Sequence, residues 1–204
     1  MPPKTALLSL GHVPAFCMQG ALSGQTLPLA SLWAAAPATP TILVFLRRLG
    51  CPMCRVYAQD VDALRKELGA GARVVCLSFE RLGEGSDAPP QKGGGFAAGG
   101  FFEGELWQVD QAAVYAPLFG RKGLLSGFGL GALVTDKGGK LAQVKERGVT
   151  GNMSGDGMQL GGAFVVGGAG PEVLLDKRQA FFGDDASVEA LKEAVERGAA
   201  AKQG

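Results

Sequence analysis

Thr41-Ile-Leu-Val-Phe-Leu46 is an unbroken run rich in β-branched and aromatic side chains. Such a run suits a strand buried on both faces, as in a parallel sheet. It leads through Arg47-Arg48-Leu49-Gly50 into Cys51-Pro52-Met53-Cys54, and there the apolar period changes. Tyr57, Val61, Leu64 and Leu68 fall at i, i+4, i+7 and i+11, one face of a helix, while Asp62, Arg65, Lys66 and Glu67 take the other side. Gly69 and Gly71 end that helix, and Arg73-Val-Val-Cys-Leu-Ser-Phe79 is a second buried strand. The unit is strand, helix, strand, with a right-handed crossover expected.

The flanking segments are read by the same periods. Ala6–Leu10 is a short apolar run and Ala21–Leu29 alternates loosely as an edge strand, so the two together suggest an N-terminal hairpin. Ala30–Ala36 reads as a short helix stopped by Pro37 and Pro40. Glu80–Gly100 is rich in Gly and Pro and has no clear period, which predicts a loop or a poorly formed helix and the most mobile part of the body. Asp110 caps a short helix through Phe119, with Ala112, Tyr115 and Phe119 on one side. A modest helix is expected near Lys140–Arg147. Ala163–Val166 and Val173–Leu175 flank Gly167–Pro171 as a hairpin, and Asp184–Ser187 starts a last helix burying Val188, Leu191 and Val195. This order predicts one α/β domain over residues 1–198 with a frayed tail at 199–204. It matches a thioredoxin-like fold: a mixed sheet flanked by helices, with an extra N-terminal β-hairpin.

Composition excludes several functions. Lys+Arg 20 against Asp+Glu 19 leaves a net charge of +1 with no long basic run, so a nucleic-acid footprint is not supported. No apolar run approaches the ~18 residues of a membrane span. The N-terminus lacks the apolar core and cleavage site of a secretory signal, so a cytoplasmic protein is expected. Glycine supplies 33 of 204 residues, about twice the usual ~7%, and implies long loops on a packed core. Four cysteines in a chain this long do not make a disulfide scaffold. The one histidine, His12, lies in a Gly-His-Val-Pro loop, where a solvated side chain is expected; any Ser-His-Asp or Cys-His scheme would have to use it.

The chemistry therefore centres on Cys51 and Cys54. Between a buried strand and a helix, Cys51 falls at the N-cap and Pro52 at the first helical position, where its missing N–H is harmless. The Cys51 sulfur is placed to accept from the Cys54 backbone N–H, and the helix dipole favours its thiolate. From Thr41 to Gln59 there is no acidic residue but there are three arginines, Arg47, Arg48 and Arg55. Arg55 opposes the dipole in the first turn, which suggests that it holds a thiolate or an anion; Arg48 is a candidate for the same work, and solvated surface charge is the competing reading. Zinc would need two further ligands, and only scattered Cys17, Cys76 and His12 remain. Cys76, inside an apolar strand, reads as an inert core thiol. A redox pair is the expected meaning of CxxC beside this unit. Cys51 at the cap is expected to be the more exposed sulfur and the nucleophile, with the reverse assignment open. Gly127-Phe-Gly-Leu-Gly131 is not a dinucleotide fingerprint.

Three segments carry a resemblance. Phe45-Leu-Arg-Arg-Leu-Gly-Cys-Pro-Met-Cys-Arg55 is similar to the FLRRxGCxxCR signature of the peroxiredoxin-like 2 family. Phe101-Phe-Glu-Gly-Glu-Leu-Trp107 resembles that family's YFxGELY segment. Gly151–Asp156 and Gln159–Val166 resemble its GNLSGD and QSGGLLVV segments. The likeness runs from about Thr41 to about Gly183. It implies a thioredoxin fold and reduction of a prostaglandin-type endoperoxide, with NADPH as ultimate electron donor; without a dinucleotide fingerprint, no tightly bound cofactor is expected. The family's redox cysteines map onto Cys51 and Cys54.

Departures narrow the expectation. The peroxiredoxin motif PxxxTxxC is absent: counted from Cys51, Arg48 stands for Thr and Val44 for Pro; counted from Cys54, these places are Cys51 and Arg47. Gly161-Gly162 stands where thioredoxins carry a cis-proline. These changes argue against a fast hydrogen peroxide peroxidase and a general disulfide reductase. Two activities stay open: endoperoxide or peroxide reduction, and a thioredoxin-dependent antioxidant peroxidase. A non-enzymatic redox-sensing or zinc-holding adaptor is a third reading. The expected partners are a small lipid-like peroxide and thioredoxin or a similar reductase. Met53, Phe96, Phe101, Phe102 and Trp107 are candidates for an apolar substrate wall, with core packing the competing role for Phe102 and Trp107.

Overall fold

The computed structural model describes residues 6–34, 39–89, 94–122, 139–167 and 172–200. The central unit forms as its periods require. Strand β3 (Thr41–Phe45) is buried at every position, helix α3 (Pro52–Leu68) follows, and β4 (Arg73–Ser78) pairs parallel with β3. Gly69 takes φ 51° where α3 ends, a value disfavoured for residues with a Cβ. One helix-face assignment changes: Asp62 is buried, accepting from Arg65, Lys66 and the Glu103 N–H.

The sheet has seven strands in the order β2 (Thr26–Pro28), β1 (Pro14–Gln19), β5 (Glu105–Val109), β4, β3, β6 (Gly162–Val166) and β7 (Val173–Arg178). The β3–β4–β5 centre is parallel, and β1, β2, β6 and β7 join antiparallel. The C-terminal hairpin is present, β6 (Gly162–Val166) with β7 (Val173–Arg178); residues 168–171 of its turn lie outside the described set.

Two strands differ from the sequence reading. Ala6–Leu10 does not open the N-terminal hairpin, because Ala6–Ser9 is helix α1. That run holds no β-branched residue and is rich in helix formers. The hairpin is instead β1 (Pro14–Gln19) with β2 (Thr26–Pro28). Strand β5 (Glu105–Val109) was not anticipated. Polar Glu105 and Gln108 interrupt its apolar run, but Glu105 is satisfied by Arg73, whose Nη2 lies 2.7 Å from its Oε2, and by the Trp107 indole N–H at 3.0 Å.

The remaining helices are α2 (Ser31–Ala34), α4 (Ala116–Phe119), α5 (Lys140–Glu146) and α6 (Val188–Ala200). Asp110 caps as expected, accepting from the Ala113 N–H at 2.7 Å. The widened π turn over Gln111–Tyr115 rotates the buried face to Val114, Tyr115, Leu118 and Phe119 and leaves Ala112 exposed. On α6 the buried face is Leu191, Ala194, Val195 and Gly198, with Val188 half-buried.

Alternation along β3 sends Ile42 and Val44 to one face of the sheet and Leu43 and Phe45 to the other, so two cores form. The first holds the inner faces of α3 and α6; the second packs under α1, α2 and α4. The Tyr115 hydroxyl, 2.8 Å from the Leu46 carbonyl and 2.9 Å from that of Leu77, ties the ends of β3 and β4 together. Cys51 and Cys54 follow directly from that tied end.

Candidate active site at the head of helix α3

The turn from β3 into α3 is held through its backbone. The Leu49 N–H donates to Glu80 Oε2 at 2.8 Å and the Gly50 N–H to Ser86 Oγ at 2.7 Å. Ser86 Oγ donates in turn to the same Glu80 carboxylate. Burial raises the Glu80 pKa against the pull of these donors. From the other side, the Asn152 N–H donates to the Gly50 carbonyl at 2.9 Å and Asn152 Nδ2 to the Ser86 carbonyl at 2.8 Å. Approach is close enough that a Cβ on Gly50 would stand 2.2 Å from the Ser86 carbonyl oxygen. The loop after β4 is thus irregular, as read, but anchored here by Glu80 and Ser86.

The three arginines divide the work differently from the sequence expectation. Arg47 meets the sulfur: its Nη1 lies 3.8 Å from Cys51 Sγ, its Nε and Nη2 donate to the Gln159 and Gly157 carbonyls, and its guanidinium stacks 3.8 Å from the Phe182 ring. Arg48 reaches the Ser154 and Asn152 carbonyls and acts on Cys51 only as a smaller charge. Arg55 is a backbone clamp. Its Nε donates to the Leu49 carbonyl at 2.8 Å, its Nη1 to the Thr150 carbonyl at 2.9 Å, and its Nη2 lies 3.6 Å from Asp87 Oδ1. Alternating directions along the chain after β3 decide which of Arg47 and Arg48 faces Cys51, and residue type carries no signal of it.

Cys51 caps α3 with Pro52 after it, as its position predicts. Its sulfur accepts no hydrogen bond of regular cap geometry, so the Cys54 amide is a lesser influence than expected. The Cys54 thiol, donating to Cys51, is the largest influence holding the Cys51 pKa well below the usual thiol value, followed by the Arg47 charge and opposed by burial. Cys54 is pushed well above that value by donating to Cys51, by burial and by the Cys51 charge. The two sulfurs are thus biased in opposite senses, Cys51 toward the thiolate and Cys54 toward the thiol. The expected difference in exposure is reversed: Cys51 is 2% and Cys54 7% exposed. The Gly151 backbone packs closely on the residues either side of Cys51: a Cβ on Gly151 would stand 2.4 Å from the Gly50 oxygen and 2.6 Å from Pro52 Cδ. Cys76 is fully buried and burial raises its pKa.

The proposed apolar wall is not open to this pair. Phe96, Phe101 and Phe102 are buried in the core beneath α3, with the Arg55 guanidinium 4.7 Å from the Phe101 ring. Trp107 belongs to the core on the opposite face of the sheet. Met53 is half-buried and touches both cores. His12 is exposed and contacts only the Ser9 carbonyl among the described residues. Residues 127–131 lie outside the described set. Among the described residues no group of three His, Cys, Asp or Glu side chains is arranged to hold a metal, and no helix is long and apolar enough to cross a membrane.

One acidic residue near the pair escaped the sequence reading. Asp185, just before α6, interacts electrostatically with both sulfurs. In the sequence it looks like any acidic residue at a helix start.

The AhpC/TSA antioxidant enzyme family model matches residues 55–180. That span begins one residue after Cys54, so it speaks for the fold and not for the cysteines. Over nearly the whole length the chain is similar to prostamide/prostaglandin F synthases. Identity is 34% to that of Xenopus tropicalis, covering 93% of this chain and 89% of the relative. It is 35% to that of Homo sapiens, covering 87% and 84%. Among solved structures, Xanthomonas campestris peroxiredoxin Q superposes with a TM-score of 0.53 at 13% identity, covering 98% of this chain and 96% of that one. A mutant of Xylella fastidiosa PrxQ gives 0.52 at 15% identity, covering 95% and 92%. At such identities the superpositions establish the thioredoxin-like fold alone.

Proposed function

The chain belongs to the AhpC/TSA antioxidant enzyme family of thiol-dependent oxidoreductases, and within that class we propose that Cys51 and Cys54 reduce the O–O bond of a peroxide or endoperoxide. The observation that carries this is the placement of both cysteines at the head of α3 with Arg47 Nη1 3.8 Å from Cys51 Sγ, a setting that lowers the Cys51 pKa and raises that of Cys54.

The Cys51 thiolate attacks one oxygen. The S–O bond forms, the O–O bond breaks, and the other oxygen leaves as alkoxide and takes a proton. Cys54 then attacks the Cys51 sulfur, the S–S bond forms, and the second oxygen leaves as alcohol. Two electrons pass from the dithiol to the O–O bond. A thioredoxin-type dithiol restores the pair, drawing ultimately on NADPH, and the reading places the protein in a reducing compartment, the cytoplasm. Among the groups within reach, Arg47 is suited to stabilise the thiolate and then the leaving oxygen, while Arg55 acts by holding the turn.

A cyclic endoperoxide is the preferred substrate in this reading, because Arg48 and Val44 replace the Thr and Pro that activate small hydroperoxides in the PxxxTxxC motif. The second reading, a thioredoxin-dependent antioxidant peroxidase, is favoured by the family description itself. One comparison decides between them: kcat/KM for a cyclic endoperoxide and for hydrogen peroxide under the same dithiol reductant. Higher values for the endoperoxide are expected; faster hydrogen peroxide turnover promotes the antioxidant reading.

A further inference from the structure

Arg47 Nη1 stands 3.8 Å from Cys51 Sγ. A guanidinium ends a long side chain with much rotamer freedom, so it favours a nearby thiolate only as well as it is held in place. What holds Arg47 is therefore part of the chemistry at Cys51.

Two kinds of contact do so. In the plane of the guanidinium, Nε donates to the Gln159 carbonyl at 3.0 Å and Nη2 to the Gly157 carbonyl at 3.1 Å. Against its face lies the Phe182 ring, its centroid 3.8 Å from Arg47 Cζ. The carbonyls set where the edge of the group points; the ring opposes its tilting out of that plane. A cation over an aromatic face is attracted by the ring quadrupole, more strongly where water is excluded. Arg47 and Phe182 are both buried.

The ring is placed by a closed turn after β7. The Asp184 N–H donates to the Phe181 carbonyl at 3.2 Å, and Asp184 Oδ2 accepts from the Ala180 N–H at 2.9 Å. Asp184 Oδ1 accepts from Lys177 Nζ at 2.6 Å. Gly183, at φ 86°, lets the chain reverse directly after the ring. The two sides of the clasp are also tied to each other. Gln179 Oε1 accepts from the Gly161 N–H at 2.8 Å, and the Gln179 N–H donates to the Gly161 carbonyl at 3.0 Å. Gly161 follows Gln159 closely in the chain, and Phe182 follows Gln179.

Plain packing is the competing role, since Phe182 belongs to the second core. Packing asks only for apolar volume, which leucine supplies. Positioning asks for an aromatic face, which leucine lacks. The charged and titratable groups acting on Cys51 are Arg47 and Arg48 from the turn, Cys54 and Arg55 from α3, and Asp185 ahead of α6. Replacing Phe182 by leucine alters none of those charges.

We propose that Phe182 is a positioning residue: its ring holds the Arg47 guanidinium in place against Cys51 Sγ, so that ring and arginine act on the thiol as one unit. This rests on the reading of Cys51 as the reacting thiol.

The test titrates Cys51 in the full chain by the ultraviolet absorbance of its thiolate, with Cys51→Ser as the blank. Neither a peroxide nor the access of a reagent enters. Phe182→Leu is expected to raise the Cys51 midpoint by roughly 0.5–1 pH unit, because a released arginine favours the thiolate less. One unit below the wild-type midpoint, the thiolate population should fall about three- to ten-fold. Phe182→Met, a second ringless variant of adaptable shape, should act alike. Phe182→Tyr keeps the aromatic face and should restore the wild-type midpoint. In an Arg47→Lys background, which lacks the planar group, Phe182→Leu should shift the midpoint no further. Denaturant midpoints establish that each variant is folded.

A folded Phe182→Leu or Phe182→Met protein with the wild-type Cys51 midpoint overturns the proposal. So does a shift that Phe182→Tyr reproduces, or one that persists undiminished in the Arg47→Lys background. If Phe182→Tyr does not fold, the Arg47→Lys pair decides. A wild type that reduces no peroxide but shows the Phe182→Leu shift keeps Phe182 and loses the substrate. A wild type whose Cys51 titrates as an ordinary thiol loses the reading of Cys51 and this proposal together.

Discussion

Cys51, Cys54 and Cys76 are all buried, so their environments decide which of them reacts. Cys51→Ser is expected to abolish turnover. Cys54→Ser should end multiple turnover while leaving one adduct on Cys51, seen by intact mass after one equivalent of substrate. Turnover of Cys54→Ser at the wild-type rate would rule out the two-cysteine scheme. Cys76→Ser places a hydroxyl in an apolar strand and should cost about 1–3 kcal/mol of stability without changing the adduct. Asp185 allows a prediction of opposite sign. Burial raises its pKa in the fold to about 6, above the ordinary aspartate value of 3.8, so the stability of its protonated form is present below about pH 4 and is lost as pH rises through 6. Asp185→Asn should therefore stabilise the fold at pH 7 by up to roughly 3 kcal/mol, by the usual conversion of pKa shift to free energy. It should do little at pH 3.5. Denaturant midpoints at the two pH values check it.

At the scale of elements, the site depends on close approach between backbones. The carbonyl of Phe45, the last residue of β3, lies where a Cβ on Gly161 would come within 2.1 Å of it, just before β6. The Gly50 turn is pinned between Ser86 and Asn152. A backbone oxygen cannot swing aside as a side chain can, so Gly161→Ala should cost about 1–3 kcal/mol by overpacking. It should also slow Cys51 alkylation, because the added methyl would stand 3.4 Å from Cγ of Arg47, the arginine that faces the Cys51 sulfur. Unfolding midpoints and the rate of iodoacetamide labelling at Cys51 measure both effects; a Gly161→Ala protein of wild-type stability would contradict the contact. The long periodic elements β3, α3 and β4 were legible because each meets its partner over several residues. Strands β1 and β5 were not: in β1 the fully buried residues are the small Ala15 and Cys17, and in β5 a cross-strand Arg73–Glu105 pair lets charge sit where an apolar run would be expected.

At the scale of the molecule, the site is a closed one. With Cys51 2% exposed, reagents reach its sulfur only when its surroundings open. Iodoacetamide at neutral pH should still label Cys51 ahead of Cys54, because thiolate character outweighs a difference of a few per cent in exposure, and should leave Cys76 untouched in the folded state. Peptide mapping by mass spectrometry reads the order, and preferential labelling of Cys54 would reverse the assigned roles. The burial of Phe101 and Phe102 moves attention from them to Met53, half-buried with its sulfur 3.5 Å from the position of a Gly183 Cβ, as the apolar side chain of the pair's own turn.

The strand–helix–strand unit, the CxxC pair at the helix head and the C-terminal hairpin were all determined locally. Hydrophobic period, proline placement and helix capping act between residues a few positions apart, so they can be read from one chain. What the tertiary structure decided is which distant groups surround the sulfurs. Arg47 rather than Arg48 faces Cys51, Arg55 clamps loops instead of a ligand, and Asp185 comes to the pair from the far end of the sequence. These depend on the direction each side chain takes after the sheet closes and on how deeply it is buried, and neither residue type nor spacing encodes that.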